Sequence, residues 1–259
     1  MSFTLVAMLL ALGLFAGMLI SFEIGRRVGV ARLAIRPDGL TKGAGAAEGA
    51  VFALLGLLLA FTFSGAASRF EDRKWFINSE ANAIGTAYLR LDLLPEEAQA
   101  PLRDLMRRYV EIRATVYQGA QKQDHVTAAL ARGSALQTEI WKQAMAACRL
   151  PGASPQATML LTPALNEMID ITSTRQMATR NHPPHVIFVL LAMLALVSAL
   201  LVGYGTSANE DRSWFHHVTF AFVISLSIYV IVDLEYPRLG LIKVDSADQA
   251  LLDVAASMR

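Results

Sequence analysis

The chain has 259 residues, of which 54% are hydrophobic and 17% are charged, and its formal net charge at pH 7 is +1. This composition is more hydrophobic than that of an ordinary soluble domain and indicates a membrane protein. The small net charge gives no general attraction to nucleic acid, and a single cysteine, Cys148, excludes an intrachain disulfide framework.

Four windows of the sequence carry no Asp, Glu, Lys or Arg, and each is long enough to cross a membrane. A helix needs about 20 residues to span a hydrocarbon core of about 30 Å. The windows are residues 2–22, 49–68, 185–209 and 213–232. Four buried helices of a soluble core are the alternative, but uncharged runs of this length are rare there. The first window lacks the basic start and the cleavage pattern of a signal peptide, so we expect a retained span.

The second window continues into a polar helix with no proline to interrupt it. A helix over residues 48–91 would be roughly 65 Å long, with Gly65 and Gly85 as the positions where it could bend. Small residues at three- and four-residue spacing form a stripe that lets helices approach closely in lipid. The stripe consists of Gly49, Ala53, Gly56, Ala60, Ser64 and Ala67.

Leu57 and Phe61 lie beside this stripe, with Ala53 one turn earlier on the same face. A ring of these residues from several subunits would make a narrow apolar constriction, and such constrictions can gate ions by dewetting. Ordinary packing between helices would produce the same pattern and is the alternative.

The polar segment between the second and third windows, residues 69–184, has helical periodicity throughout. We expect four helices and almost no strand, because apolar residues recur at three- and four-residue spacing and never alternate. The ends of these helices are marked by Pro95 with Glu96 and Glu97, by Leu150-Pro151-Gly152, by Ser154-Pro155 and by Pro183-Pro184. Packing of a helical bundle accounts for the apolar stripes.

Two acids, Asp233 and Glu235, follow the fourth window at the expected water boundary. They could pair with Arg69 or Arg73, which leave the second window at a comparable depth. Asp233 is the favoured partner because it adjoins the uncharged run. A solvated helix cap is the alternative.

Signatures of enzymes are absent from the sequence. It has no phosphate-binding loop, no dinucleotide-binding glycine motif, no zinc-protease motif and no nucleophile elbow. The adjacent histidines His216 and His217 point to different faces of a helix, which makes them a poor metal pair. We therefore expect no catalytic residues, no metal and no cofactor.

Several segments carry a family resemblance. Residues 58–76 (LLAFTFSGAASRFEDRKWF) resemble the second span and following helix of prokaryotic bestrophins. Residues 80–95 (EANAIGTAYLRLDLLP), 161–170 (LTPALNEMID) and 233–242 (DLEYPRLGLI) are similar to the bacterial bestrophin-like membrane family. The match extends over nearly the whole chain.

The resemblance implies a homopentamer in a bacterial inner membrane, with a chloride-type anion pore lined by the second span. The pore-neck positions would be Ala53, Leu57 and Phe61, with Ala53 smaller than the bulky residues usual there. It also implies that both termini and the helical body lie in the cytoplasm, although the arginines of the first loop favour the opposite orientation. The dense acidic run of a calcium clasp is missing, so calcium regulation is not expected.

The sequence therefore predicts an all-α membrane protein with four transmembrane helices in two pairs and a helical extramembrane body between spans 2 and 3. The predicted parts are residues 1–68 (first pair), 69–184 (body), 185–232 (second pair) and 233–259 (polar tail). The predicted function is an oligomeric anion channel in the lipid bilayer. The alternative is a non-conducting membrane scaffold or sensor whose body binds a protein partner.

Overall fold

The computed structural model describes residues 3–35, 44–116, 123–208 and 214–258, nearly all of which are helical. The described residues contain no β-strand, in agreement with the predicted all-α class. The helices in chain order are α1 (Phe3–Ile35), α2 (Ala44–Arg90), α3 (Glu96–Thr115), α4 (Gln123–Ala147), α5 (Pro155–Arg180), α6 (His185–Gly205), α7 (Trp214–Glu235) and α8 (Asp245–Ser257). Short 3₁₀ turns follow α2 at Leu91–Leu93 and α6 at Thr206–Ala208.

Among the described residues, four helical segments are long and apolar enough to cross a membrane, which is the number of spans that the sequence predicted. They are Phe3–Ile35, Gly45–Leu93, Pro155–Ala208 and Trp214–Glu235. The third segment is interrupted by the non-helical residues 181–184, where Pro183 and Pro184 lie. Proline lacks a backbone N–H donor, and its ring clashes with the preceding turn, so the helix breaks here. The break lies where the sequence predicted it.

Helix α2 is continuous over 47 residues. At 1.5 Å per residue it is about 70 Å long. Neither Gly65 nor Gly85 interrupts it, so the predicted continuous helix over residues 48–91 is confirmed to within a few residues at each end.

Contacts divide the chain into two compact units, and α2 contributes residues to both. The first unit comprises residues 1–70 and 182–243, and the second comprises residues 71–181 and 244–259. The segment that we expected to be a polar tail is therefore shared between the units. Its last part forms α8, a helix that the sequence analysis did not predict.

In the first unit, α1 packs against α6 and α7. Its core consists of Met18, Phe22, Ala195, Ala199 and Ala221. The approach of α1 to α6 is so close that a methyl group built on Gly25 would lie 2.0 Å from the Leu200 carbonyl oxygen, and one on Gly203 would lie 2.1 Å from the Phe22 carbonyl oxygen. Only glycine fits at these two positions.

In the second unit, α3 packs against both α4 and α8. The Tyr109 hydroxyl lies at the centre, 2.9 Å from Thr172 Oγ1 and 2.8 Å from the Gln137 side-chain nitrogen that donates to it. These contacts join α3, α4 and α5. Burial raises the pKa of the Tyr109 phenol above its usual value, so the group stays neutral.

The apolar stripes predicted for this unit form its core. Most residues on the predicted faces of α2, α3 and α5 are at most 8% exposed, whereas Tyr88, Ile112 and Thr172 on the same faces are only partly buried. The buried residues include Ile77, Ala81, Ile84, Leu102, Leu105, Met106, Tyr109, Leu161, Leu165 and Met168. Helical periodicity in the sequence therefore located the buried side of these three helices, apart from the partly buried residues.

Candidate functional site

The predicted neck residues lie on an exposed face of α2. Ala53, Leu57 and Phe61 are all exposed, with Leu57 at 51% and Phe61 at 66%. Leu55 and Ala66, which helical geometry places on the opposite side, are 2% and 0% exposed. The helix therefore packs on its own chain with one face and presents bulky apolar side chains on the other.

Small residues beside this exposed face of α2 would let a neighbouring helix approach it closely. A methyl group built on Gly49 or Gly56 would have no atom within 4 Å. Ala60 and Ser64 are exposed as well. In a membrane, such a surface is available to lipid, to another helix or to a second copy of the chain.

The end of α7 carries a buried ion pair. Glu235 has no exposed surface, and its Oε1 atom accepts hydrogen bonds from Arg69 Nε at 2.9 Å and, at shorter range, from Arg69 Nη2. Arg69 lies on α2, and its side chain is 25% exposed. A guanidinium that donates through two nitrogens fixes orientation as well as charge. The pair joins the second and fourth spans within the first unit.

His182 is the next neighbour of Glu235. Its Nδ1 atom lies 3.4 Å from Glu235 Oε2, and its ring stacks on Tyr236 with the ring centres 4.5 Å apart. Tyr236 in turn contacts Phe3 at the start of α1, with ring centres 4.8 Å apart. The sequence analysis assigned no role to this histidine.

Asp233 has different partners. Its carboxylate accepts hydrogen bonds from the backbone N–H groups of Leu241, at 2.9 and 3.0 Å, and of Ile242, at 2.7 Å. A methyl group on Gly240 would lie 2.2 Å from Asp233 Oδ1. The carboxylate therefore holds the turn that follows α7. The structure pairs Arg69 with Glu235, whereas the sequence analysis favoured Asp233.

Arg73, the fourth residue of the predicted charge cluster, belongs to the second unit and is 6% exposed. It donates to the carbonyl oxygens of Ala178, at 3.3 Å, and Asn181, at 3.0 Å. A guanidinium at this place satisfies carbonyl groups at the end of α5 and complements the negative end of the helix dipole.

A buried charge network in the second unit was missed by the sequence analysis. Glu80, which is 0% exposed, accepts hydrogen bonds from both Arg113 and Arg175, which are 3% and 2% exposed. Arg175 also donates to Asp248 on α8 at 3.2 Å. Two cations and two anions thus meet in the interior. Across the described ranges, no group of three or more His, Cys, Asp or Glu residues has the arrangement of a metal site.

Comparison with known proteins gives a family and a fold. The sequence-family model of the Bestrophin-like domain matches residues 13–249 of this chain. Among solved structures, a bacterial bestrophin homolog from Klebsiella pneumoniae solved by Zn-SAD phasing is 13% identical, with a TM-score of 0.67 over 93% of this chain and 97% of that chain. A point variant of a Klebsiella pneumoniae homolog is 14% identical, with a TM-score of 0.68 over 94% and 99% of the two chains. No curated protein matches the sequence.

At 13–14% identity these structures establish the fold alone. The family model covers most of the 259 residues. The chain therefore belongs to the Bestrophin-like family.

Proposed function

We propose that the protein is an oligomeric ion channel of bestrophin type in a bacterial inner membrane, with α2 lining the pore. The observation that carries the proposal is the two-sided character of α2. Leu57 and Phe61 are exposed, whereas Leu55 and Ala66 pack against the chain itself. A pore-lining helix needs one face for its own subunit and one for the lumen. Membership of the Bestrophin-like family supports a channel over a scaffold.

In this proposal five copies surround the pore, as the family resemblance implies. Rings of Leu57 and Phe61 then form the neck, which closes to ions by excluding water. The ring at Ala53 is wider. Residues 1–68 and 185–232 supply the two pairs of spans, residues 69–184 form the extramembrane body, and residues 233–259 form the C-terminal segment.

The conducted ion is proposed to be a chloride-type anion, on the strength of the resemblance. A cation-conducting pore is the second candidate, and one observation favours it. Of the charged residues that follow the neck on α2, Arg69 is engaged by Glu235 and Arg73 by backbone carbonyls. Glu71, which pairs with Lys74 at 3.1 Å, and Asp72 are exposed. Exposed carboxylates along a pore attract cations and repel anions.

The neck assignment is tested by Phe61→Ala in purified protein reconstituted into liposomes. If Phe61 faces the lumen, removal of its ring widens and wets the neck, so halide flux rises while the oligomer survives. The matched control is Phe63→Ala, since Phe63 lies on the same helix, is 48% exposed and points to another side of α2. We expect this control to leave the flux unchanged.

Two results would overturn the pore assignment. One is equal flux from the Phe61 and Phe63 variants, and the other is a weakened oligomer with no gain in flux. The ion class is decided separately, by the sign of the potential that a potassium chloride gradient generates across the liposome membrane. The Glu71→Gln and Asp72→Asn double variant should reduce a cation preference if the second candidate is correct.

A further inference from the structure

Helix α1 extends well beyond the residues needed to cross a membrane. Its uncharged window, residues 2–22, is about 31 Å long at 1.5 Å per residue, which matches a hydrocarbon core of about 30 Å. The His217 ring stacks on Phe22 with the ring centres 4.6 Å apart, and Trp214, which is 47% exposed, begins the same helix as His217. Exposed tryptophans are typical of the membrane–water boundary. Residues 23–35 therefore lie at or beyond that boundary.

One side of this segment packs on its own chain. Gly25 and Gly29 contact α6 and the 3₁₀ turn after it so closely that a methyl group on them would lie 2.0 and 2.2 Å from an oxygen atom there. The opposite side carries Ile24, Val28 and Ile35, which are 47%, 54% and 80% exposed. Their spacing of four and seven residues places them in a single stripe along the helix. An apolar stripe thus faces away from the rest of the first unit.

Two arginines flank the apolar stripe. At about 100° per residue, Arg27 lies roughly 80° to one side of the stripe and Arg32 roughly 60° to the other. Both residues are exposed, and the Arg27 side chain is 75% exposed. The side chains of a helix lean toward its N terminus, which for α1 is the direction back into the membrane. The aliphatic stems can therefore lie along the apolar stripe while the guanidinium groups stay at the level of the lipid headgroups.

The same segment carries an excess of positive charge. Glu23 accepts hydrogen bonds from Arg26 Nε at 3.2 Å and from Arg27 Nε at 2.8 Å, so two guanidinium groups share one carboxylate. Residues 23–35 contain three arginines and this single acid. An exposed apolar stripe edged by cations complements an amphiphilic molecule with a negative headgroup.

We infer that residues 23–35 form a binding site for an anionic phospholipid. Arg27 holds the phosphate group, Arg32 closes the other side of the stripe, and the glycerol and upper acyl region lie on Ile24 and Val28. Guanidinium groups suit this role because they donate two parallel hydrogen bonds to a phosphate. A second copy of the chain that met this face with its own would set arginine against arginine, which disfavours that occupant. Such a site needs α1 to span the membrane but does not need the protein to conduct ions.

The test is native mass spectrometry of the purified full-length protein in a neutral detergent, titrated with phosphatidylglycerol or with phosphatidylcholine of the same acyl chains. We expect the unmodified protein to bind phosphatidylglycerol more tightly than phosphatidylcholine. An arginine near the membrane surface contributes about fivefold to the affinity for anionic lipid. Arg27→Gln with Arg32→Gln should therefore weaken phosphatidylglycerol binding by about 20-fold. Binding of phosphatidylcholine should change little.

The matched control uses Arg108 and Arg132, two exposed arginines of the second unit. Arg108→Gln with Arg132→Gln removes the same amount of charge and should leave the preference for phosphatidylglycerol intact. A third variant, Glu23→Gln, should strengthen phosphatidylglycerol binding several-fold, because it releases Arg26 and Arg27 from their shared carboxylate. Misfolding cannot produce such a gain of affinity.

Equal weakening for the two lipids in the Arg27 and Arg32 variant would overturn the inference, since it would indicate a loss of apolar contact or of the fold. An unchanged preference in that variant, the same loss in the control, or weaker binding in Glu23→Gln would overturn it as well. Glycerol 3-phosphate in large excess is a separate arm. If it displaces phosphatidylglycerol, the site takes a soluble anion and the lipid assignment is wrong, whereas a lipid site should keep its phosphatidylglycerol.

Discussion

A carboxylate with no exposed surface is tolerated only where cations compensate it, and Glu80 is the clearest case in this chain. It accepts hydrogen bonds from Arg113 and Arg175 within the second unit. Glu80→Gln would leave two buried guanidinium groups facing a neutral amide. We expect this change to destabilise the unit by about 3–5 kcal/mol, measured by chemical unfolding in detergent.

The matched control for Glu80 is Glu71→Gln on the same helix. The Glu71 side chain is 66% exposed and pairs with Lys74 at 3.1 Å. Exposed pairs of this kind contribute about 0–1 kcal/mol, because water and salt screen them. Similar losses of stability in the two variants would show that Glu80 is not held as the structure indicates.

The partners of Arg69 lead to a second prediction at this scale. Arg69→Gln and Glu235→Gln together should cost less than the sum of the single changes, with a coupling of about 0.5–3 kcal/mol. Asp233 is held by the backbone N–H groups of Leu241 and Ile242, so Arg69→Gln and Asp233→Asn should couple more weakly than Arg69→Gln and Glu235→Gln. Unfolding of the single and double variants measures both cycles. Coupling to Asp233 in place of Glu235 would contradict the observed pairing.

Glu80 could have been found from its position in the sequence. It follows Ile77 by three positions and precedes Ile84 by four, so it lies on the buried face of α2. An ionisable residue on such a face needs a partner. Which arginines provide it is a matter of long-range packing, since Arg113 and Arg175 lie 33 and 95 residues away along the chain. The local sequence pattern therefore identifies Glu80 as a buried acid, but it does not identify the arginines that pair with it.

At the scale of helices, the contact of α1 with α6 gives the third prediction. A methyl group on Gly25 would meet the Leu200 carbonyl 2.0 Å away, and backbone atoms cannot turn aside as a flexible side chain can. Gly25→Ala should therefore push the helices apart and cost about 1–3 kcal/mol, as overpacking does elsewhere. Thermal unfolding in detergent measures the change.

Gly13→Ala in the same helix is the control, because a methyl group there has no atom within 4 Å. We expect no loss of stability from it. Equal unfolding temperatures for Gly25→Ala and Gly13→Ala would show that α1 and α6 are not in close contact at Gly25.

Individual helices were predictable to different degrees. The absence of proline between the second window and Leu93 sufficed to predict α2 as a single helix. Helix α8 was missed because it is short, polar on its outer side, and buried mainly through Leu251 and Asp248. Its place is fixed by contact with α3 and by the ion pair to Arg175, which no local pattern reveals.

For the whole molecule, the topology can be tested with single cysteines in a Cys148→Ser background. Ser134 on α4 and Ser246 on α8 are both exposed and both belong to the second unit. Ser134→Cys and Ser246→Cys should respond alike to an impermeant thiol reagent on intact cells. Arg27→Cys, whose site on α1 is 75% exposed, should respond in the opposite way if α1 crosses the membrane.

Unlike responses of the Ser134 and Ser246 variants would place α4 and α8 on different sides and would break the two-plus-two arrangement of spans. For the whole molecule, the hydrophobic composition indicated a membrane protein. The four uncharged runs of about 20 residues indicated the number of spans, since such runs are rare outside membrane-spanning helices. The inclusion of residues 244–259 in the second unit was not foreseen. It depends on α8 packing against α3, a helix that precedes it by many residues.

The charge network of the second unit also has a consequence for how the protein is made. Glu80 leaves the ribosome 95 residues before Arg175, a delay of roughly 5–20 seconds at ordinary rates of synthesis. Asp248 follows Arg175 by a further 73 residues. Until α8 is made, the nascent chain therefore carries Arg113, Arg175 and Glu80 without Asp248, the second anion of the network. Chains that stall before α8 should be poor at maturing and should be preferred substrates for membrane quality-control proteases.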